Sequence, residues 1–207
     1  MTMPVYVDFD DVLCESARRL AQISGDRYGK PVAFEDIYSF DLNKSFGLDA
    51  LEQLDLFTLF HDEEMLYSIP PIPDAIAGMQ SWAAAGCRIE IVTGRPPATH
   101  DISCAWLEAY EVPYDGITFV DKYRRGHAPV AGVQQYTLEE VSKAEYALVV
   151  DDSPDMMQFL AEHTDWALAL FDRPWNRSLR VDNLRDGVQR FRGWQELQLA
   201  HPAPGVR

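Results

Sequence analysis

The sequence predicts an α/β protein: an open parallel sheet with helices on both faces and a small helical unit inserted after the first strand. Three observations predict it. Short runs rich in β-branched or bulky apolar residues recur along the chain, helical patterns separate the later runs, and the interval between the first two runs is far longer than one crossover helix requires.

The runs cover residues 5–9, 88–92, 117–120, 146–150 and 166–171 and read as buried strands. Helical patterns lie at residues 74–85, closed by Gly86, at 100–110, and at 137–144, opened by a capping box of Thr137 with Glu140. Strands alternating with helices call for parallel pairing and a sheet covered on both sides. The long interval holds further helical patterns, residues 15–28 ending at Gly29-Lys30-Pro31 and residues 48–60. Phe34, Tyr38, Phe40, Phe46, Phe57 and Phe60 are scattered through it. The expected division is an α/β core of residues 1–13 and 74–207 with a helical cap of residues 14–73. Residues 123–136, with Gly126, Pro129 and Gly132, read as a loop or small hairpin. Beyond Phe171 the tail carries Arg173, Arg177, Arg180, Arg185, Arg190 and Arg192 and reads as a solvated closing segment.

With 18 Lys and Arg against 33 Asp and Glu, the net charge of −15 repels a phosphate polymer and argues against nucleic-acid binding. The same field opposes any small anion, so a site for phosphate esters needs local positive charge from a metal, a lysine and backbone amides. Cys14, Cys87 and Cys104 are odd in number and widely spaced, which fits a reducing compartment, and the cytoplasm is the expected location. No stretch reads as a signal peptide or membrane span.

In an open α/β sheet, chemistry sits beyond the carboxyl ends of the strands. The first strand ends in Asp8-Phe9-Asp10-Asp11, the second in Thr93-Gly94-Arg95, the third is followed by Asp121-Lys122, and the fourth ends in Asp151-Asp152-Ser153. If the first and fourth strands are neighbours, their carboxylates converge and repel unless a cation lies between them. Magnesium suits such oxygen donors, with Asp8, Asp152 and the substrate as ligands, and the absence of Cys and His at these ends argues against zinc. Asp8 is then the candidate nucleophile, forming an aspartyl-phosphate with a small phosphate ester. Asp10 would protonate the leaving oxygen and afterwards activate water. Thr93 and the Gly94 amide would donate to the phosphoryl oxygens, and Lys122 would supply fixed charge. Lys143, within a helical pattern, is the alternative lysine. Arg95 either clasps the substrate phosphate or pairs with a nearby acid, and the segment 172–177 either lines the site or is a turn packed by Trp175.

These motifs, in this order, resemble the haloacid dehalogenase-like superfamily. The match consists of Asp8-Phe9-Asp10, Thr93-Gly94-Arg95, Lys122 and Asp151-Asp152, within a resemblance spanning about residues 3–171. The resemblance implies a Rossmann-like sheet of order 5-4-1-2-3 and a C1-type cap. It also implies Mg²⁺ held by Asp8, the backbone carbonyl of Asp10 and Asp152, with Asp151 acting directly or through water. Pro70-Pro71-Ile72-Pro73, residues 105–108 and residues 117–122 are similar to the cytosolic deoxyribonucleotidase branch, which would make a nucleoside monophosphate a substrate. Two departures stand out: Asp11 occupies a position where glycine is more usual, and the segment between Lys122 and Asp151 is longer than in that branch. Rival readings are a phosphosugar mutase, phosphonate hydrolase or dehalogenase on the same fold, and a non-catalytic phosphoaspartate receiver or binding protein. The second aspartate, Asp10, favours phosphoryl chemistry, because a dehalogenase needs no acid for an alcohol leaving group.

Overall fold

The computed structural model describes residues 2–39, 42–122, 124 and 126–206. Its strands are β1 (Val5–Val7), β2 (Ile89–Thr93), β3 (Gly116–Val120), β4 (Gln135–Tyr136), β5 (Leu148–Asp151), β6 (Ala167–Phe171) and β7 (Val188–Phe191). They form one sheet in the order β4-β3-β2-β1-β5-β6-β7, with every pairing parallel. Within it the five expected strands keep the 5-4-1-2-3 order, and Val7 lies in register with both Ile91 and Val150.

The sheet is wider than expected by one strand at each edge. Gln135 and Tyr136, read in the sequence as the end of a loop or hairpin, pair instead with Phe119 and Val120. The reading of the arginine-rich tail as a solvated segment is likewise corrected. Val188 and Phe191 turn inward while Gln189 stays exposed. Arg190 directs its donors to Asp172 Oδ1, Asn176 Oδ1 and the carbonyls of Asn176 and Leu179. A guanidinium satisfied this way lies against a sheet edge without needing full solvation.

Alternation along β1 divides the core into two layers. Val5 and Val7 face helices α5 (Ala75–Ala84), α6 (His100–Ala109) and α9 (Trp194–Ala200), packing with Met79, Trp82, Trp106 and Trp194. Tyr6 faces the opposite layer, where α7 (Leu138–Val141) and α8 (Pro154–His163) contribute Val141, Met156, Met157 and Leu160. Buried indoles need acceptors. Trp194 Nε1 donates to Val12 O at 2.8 Å and Trp106 Nε1 to Ile69 O at 2.7 Å, so they anchor the chain just before the insertion and near its end.

The interval after β1 is helical, with α1 (Ser16–Tyr28), α2 (Leu42–Phe46), α3 (Ala50–Phe60) and α4 (Glu63–Tyr67). Gly29 ends α1 at φ 65°, where a side chain would be strained, and Asp49 with Glu52 forms a capping box opening α3. Ala17, Ala21, Ile23, Ile37, Phe46, Leu48 and Leu56 form a cluster of their own with Trp175. Leu66 and Ile69 join the main core instead, and α4 packs on α6. The two connecting segments run antiparallel, with Glu15 N donating to Pro70 O at 2.9 Å and Ile72 N to Leu13 O at 2.8 Å. Phe40, one of the expected aromatics, and Tyr123, at the start of the expected loop, lie outside the described residues. Among the described residues no helix is long and apolar enough to cross a membrane.

Candidate active site

β1 stops at Val7, and the next amide, Asp8 N, donates to Val150 O at 2.9 Å, which sets Asp8 at the strand tip beside the end of β5. The chain then turns back tightly, with Leu13 N donating to Phe9 O and Asp11 at φ 58°. That left-handed backbone is the physical reason a glycine would be usual there. Asp11 holds the conformation because its carboxylate accepts from Ala17 N, with both oxygens at 3.1 Å, and so caps α1, while Arg173 Nε donates to its carbonyl at 2.8 Å.

Asp8, Asp151 and Asp152 are all buried, and one carboxylate oxygen from each lies within 4.8 Å of the others. Lys122, in the turn that follows β3, reaches Asp8 Oδ2 at 2.8 Å and Asp151 Oδ2 at 2.7 Å. Phe9 N donates to Asp8 Oδ1, Ser153 N to Asp151 Oδ1, and the Tyr6 hydroxyl to Asp151 Oδ2 at 2.6 Å. Trp175 Nε1 donates to Asp152 Oδ2 at 2.7 Å, and Asn176 Nδ2 to Asp152 O at 2.8 Å. Burial pushes the Asp8 carboxyl well above the ordinary range, the charge of Asp151 adds to the rise and Lys122 opposes it. Burial raises Asp152 in the same direction, helped by Asp11 and Asp151. Asp11 is pushed up to about 8 by burial, against the pull of Arg173. Three buried carboxylates, two of them bridged by one lysine, offer only hard oxygen donors and fit a divalent cation of the magnesium or calcium kind.

Asp10 is held by a different cation, Arg95. Arg95 Nε donates to its Oδ2 at 2.9 Å and Nη2 to its Oδ1 at 2.8 Å, while the Ser16 hydroxyl also donates to Oδ1. Burial alone would raise the Asp10 carboxyl, but the Arg95 charge and hydrogen bonds, with those of Ser16, hold it below the ordinary value. Arg95 is itself buried over the Phe9 ring at 3.9 Å, with Nη1 on Ser103 Oγ. Of the two sequence-level readings of Arg95, the structure displays the acid pairing.

A cavity of about 460 Å³ opens over these groups. Asp8, Asp10, Gly94, Arg95, Lys122 and Asp152 line its floor, and Leu20, Tyr38, Phe57, Phe60 and His61 of the insert line the facing wall. Thr93 and Asp151 are fully buried and outside the lining; Thr93 Oγ1 accepts from Arg95 N at 3.1 Å and so shapes the turn that presents Gly94. Lys143 is exposed. The residues sequence reasoning left undecided or overlooked are Trp175, which lines the cavity and holds Asp152, and Tyr6, Ser16 and Asn176, which hold Asp151, Asp10 and Asp152. For Trp175 a signal existed: its segment follows a strand end, the place where sites gather in this architecture.

An open parallel sheet with a buried carboxylate cluster and a lysine at its strand tips is the architecture of the haloacid dehalogenase-like hydrolases, and the family match places the chain among the phosphoric monoester hydrolases. The family model described as 5' nucleotidase, deoxy (pyrimidine), cytosolic type C protein matches residues 2–201, and the chain belongs to that family. A protein of Halalkalibacterium halodurans, named provisionally as a nucleotidase, is 22% identical over 192 residues, covering 93% of this chain and 89% of the relative. Among solved structures, a haloacid dehalogenase-like hydrolase of Bacteroides fragilis, also provisionally assigned, superposes with TM-score 0.57 at 16% identity, covering 92% of this chain and 96% of its own. A hydrolase of the same superfamily from Deinococcus radiodurans, solved with bound phosphate and sodium, superposes with TM-score 0.56 at 16% identity, covering 95% and 93%. At these identities the solved structures speak to the fold.

Proposed function

We propose that the protein is a magnesium-dependent phosphatase that hydrolyses a small monoester, a nucleoside monophosphate, through an aspartyl-phosphate on Asp8, with residues 14–73 as its cap. The observation that carries this reading is Asp8 at the tip of β1, within a cluster of buried acids that a single lysine bridges. The family description and the nucleotidase name of the Halalkalibacterium relative support the substrate class. The residues that would hold Mg²⁺ are Asp8, Asp152 and the Asp10 carbonyl. Asp151, whose oxygens already accept from Lys122, Tyr6 and Ser153, would act directly or through water. When bound, the ion neutralises phosphoryl charge and draws electron density from phosphorus.

The chain's own residues perform the transfers. Asp8 forms the bond to phosphorus as the ester oxygen departs, and Asp10 gives that oxygen its proton. Asp10 then takes a proton from the water that attacks the phosphorus, which releases phosphate and restores the Asp8 carboxylate. Arg95 lines the same cavity, so an entering phosphate competes with Asp10 for its guanidinium, and loosening that clasp lets Asp10 carry a proton. The Gly94 amide and Lys122 donate to the phosphoryl oxygens, with Thr93 holding the turn. The cytosolic description of the family and the free thiols of Cys14, Cys87 and Cys104 support a cytoplasmic setting.

The test is a phosphate-release screen of the purified protein across nucleoside monophosphates, sugar phosphates and phospho-amino acids, with and without EDTA. Turnover of a nucleoside monophosphate should vanish in EDTA, return with Mg²⁺, and fall at least ~1000-fold in Asp8→Asn. Undiminished turnover by Asp8→Asn would refute the assignment.

A further inference from the structure

Trp175 joins two parts of the molecule that the mechanism so far treats separately. It follows β6 in the α/β layer, yet its ring is buried in the insert's own hydrophobic cluster beside Ala17, Ala21 and Leu56. Phe34 of the insert meets it edge-on, centroids 5.8 Å apart at 80°, and Arg18 lies 3.9 Å above the Phe34 ring. Two residues along, Arg177 pairs with Glu35 of the insert at 2.7 Å. The other end of the same side chain donates its indole N–H to Asp152 Oδ2 at 2.7 Å. Behind it, Arg190 holds the turn from the far edge of the sheet through Asn176. The indole can keep its N–H on the carboxylate only while its ring stays in place, and the hydrophobic cluster in which the ring is buried belongs to the insert.

We propose that Trp175 is a positioning residue that ties the orientation of Asp152 to the seating of the insert, so that cation binding and insert seating are linked. This rests on reading Asp152 as a cation ligand. A carboxylate that coordinates a metal is held in orientation by the donor on its other oxygen, and loss of such an outer partner commonly weakens metal binding about 10–100-fold. Linkage is reciprocal: whatever insert seating contributes to cation affinity, the cation returns to insert seating.

The experiment titrates the full chain with Mn²⁺, reading free ion by electron paramagnetic resonance, and follows amide hydrogen exchange over residues 16–36 with and without Mn²⁺. Trp175→Phe, which keeps a ring and removes the donor, should weaken Mn²⁺ binding about tenfold. Phe34→Ala, which removes the ring packed on Trp175, should weaken it several-fold, and Arg177→Gln, at an exposed ion pair whose loss does not threaten folding, should weaken it in the same direction. Combining Phe34→Ala with Trp175→Phe should add less than the product of the single effects. Mn²⁺ should slow exchange over residues 16–36 in the wild type and do so less in Trp175→Phe. Unchanged affinity in Trp175→Phe overturns the positioning role. Unchanged affinity in both Phe34→Ala and Arg177→Gln overturns the link to the insert. A wild-type chain that does not bind Mn²⁺ at all overturns the metal-dependent reading itself, and is thereby distinguished from both.

Discussion

Replacing Lys122 with methionine removes the amine between Asp8 and Asp151 while keeping a side chain of similar length. The amine lies 2.8 Å from one carboxylate and 2.7 Å from the other, and all three groups are buried. At an effective dielectric near 20, each such contact is worth about 6 kcal/mol of Coulomb attraction before desolvation is counted. Measured losses on breaking a buried pair are smaller, about 3–5 kcal/mol. The lower value applies here, since Phe9 N still donates to Asp8, and Tyr6 and Ser153 still donate to Asp151. For a chain of this length about 1 kcal/mol corresponds to 2–4 °C, so Tm should fall by roughly 6–12 °C in EDTA at pH 8. The loss should shrink toward pH 5. A carboxyl raised above its unfolded value holds its proton more tightly when folded, so the penalty of its charge is absent at low pH and grows as pH rises through the folded value. Asp8 is already raised by burial and by Asp151, and losing Lys122 raises it further. Urea denaturation in EDTA at both pH values, beside a phosphate-release assay, measures all of this. A variant within about 1 kcal/mol of wild type at pH 8 would show that these acids do not form a charged cluster dependent on the lysine.

Asp11, raised to about 8, should make the metal-free protein lose stability as pH climbs from 5 toward 9. Asp11→Asn retains an oxygen to cap Ala17 and should flatten that slope, and parallel slopes would contradict it. Gly78→Ala places a Cβ 2.4 Å from Cε3 of the buried Trp194 ring, so overpacking should cost about 1–3 kcal/mol in urea denaturation, and an unshifted midpoint would contradict the close approach. Phe57→Ala, in the wall of the cavity, should raise KM for a nucleoside monophosphate more than for glycerol phosphate, whereas equal changes would deny the insert a part in recognition.

What was legible in the sequence lay in short stretches that follow directly on apolar runs. Asp8, Thr93, Lys122 and Asp151-Asp152 each end or follow a strand, so local pattern and chain order sufficed to bring them to one edge of the sheet. What was not legible depends on groups distant along the chain. Arg95 offered two partners on paper, and its choice of Asp10 follows from β1 and β2 being adjacent, which places residues 85 apart in contact. Trp175 reads locally as the packing residue of a turn after Pro174; its hold on Asp152 appears only once the turn folds back over the end of β5. Arg190 was concealed by composition, since a run of arginines suggests solvent and nothing local marks one of them as the anchor of an edge strand.

The charge balance of the cavity connects these contacts to function. Its lining brings Asp8, Asp10, Asp11, Asp152 and Asp155 against Arg95 and Lys122, and both of those cations are already engaged with acids. Counting histidine as neutral and all five acids as ionised, the lining carries a net charge of −3, from five negative and two positive groups. A divalent cation would offset most of that charge, so a phosphate would approach a far less acidic site inside a chain whose overall charge is −15. The same arithmetic explains why Arg95 can be shared. On the proposed mechanism, an arriving phosphate would offer the guanidinium a second bidentate partner once a cation offsets the acids, and the exchange from Asp10 to phosphate would couple substrate arrival to release of the acid that the reaction needs.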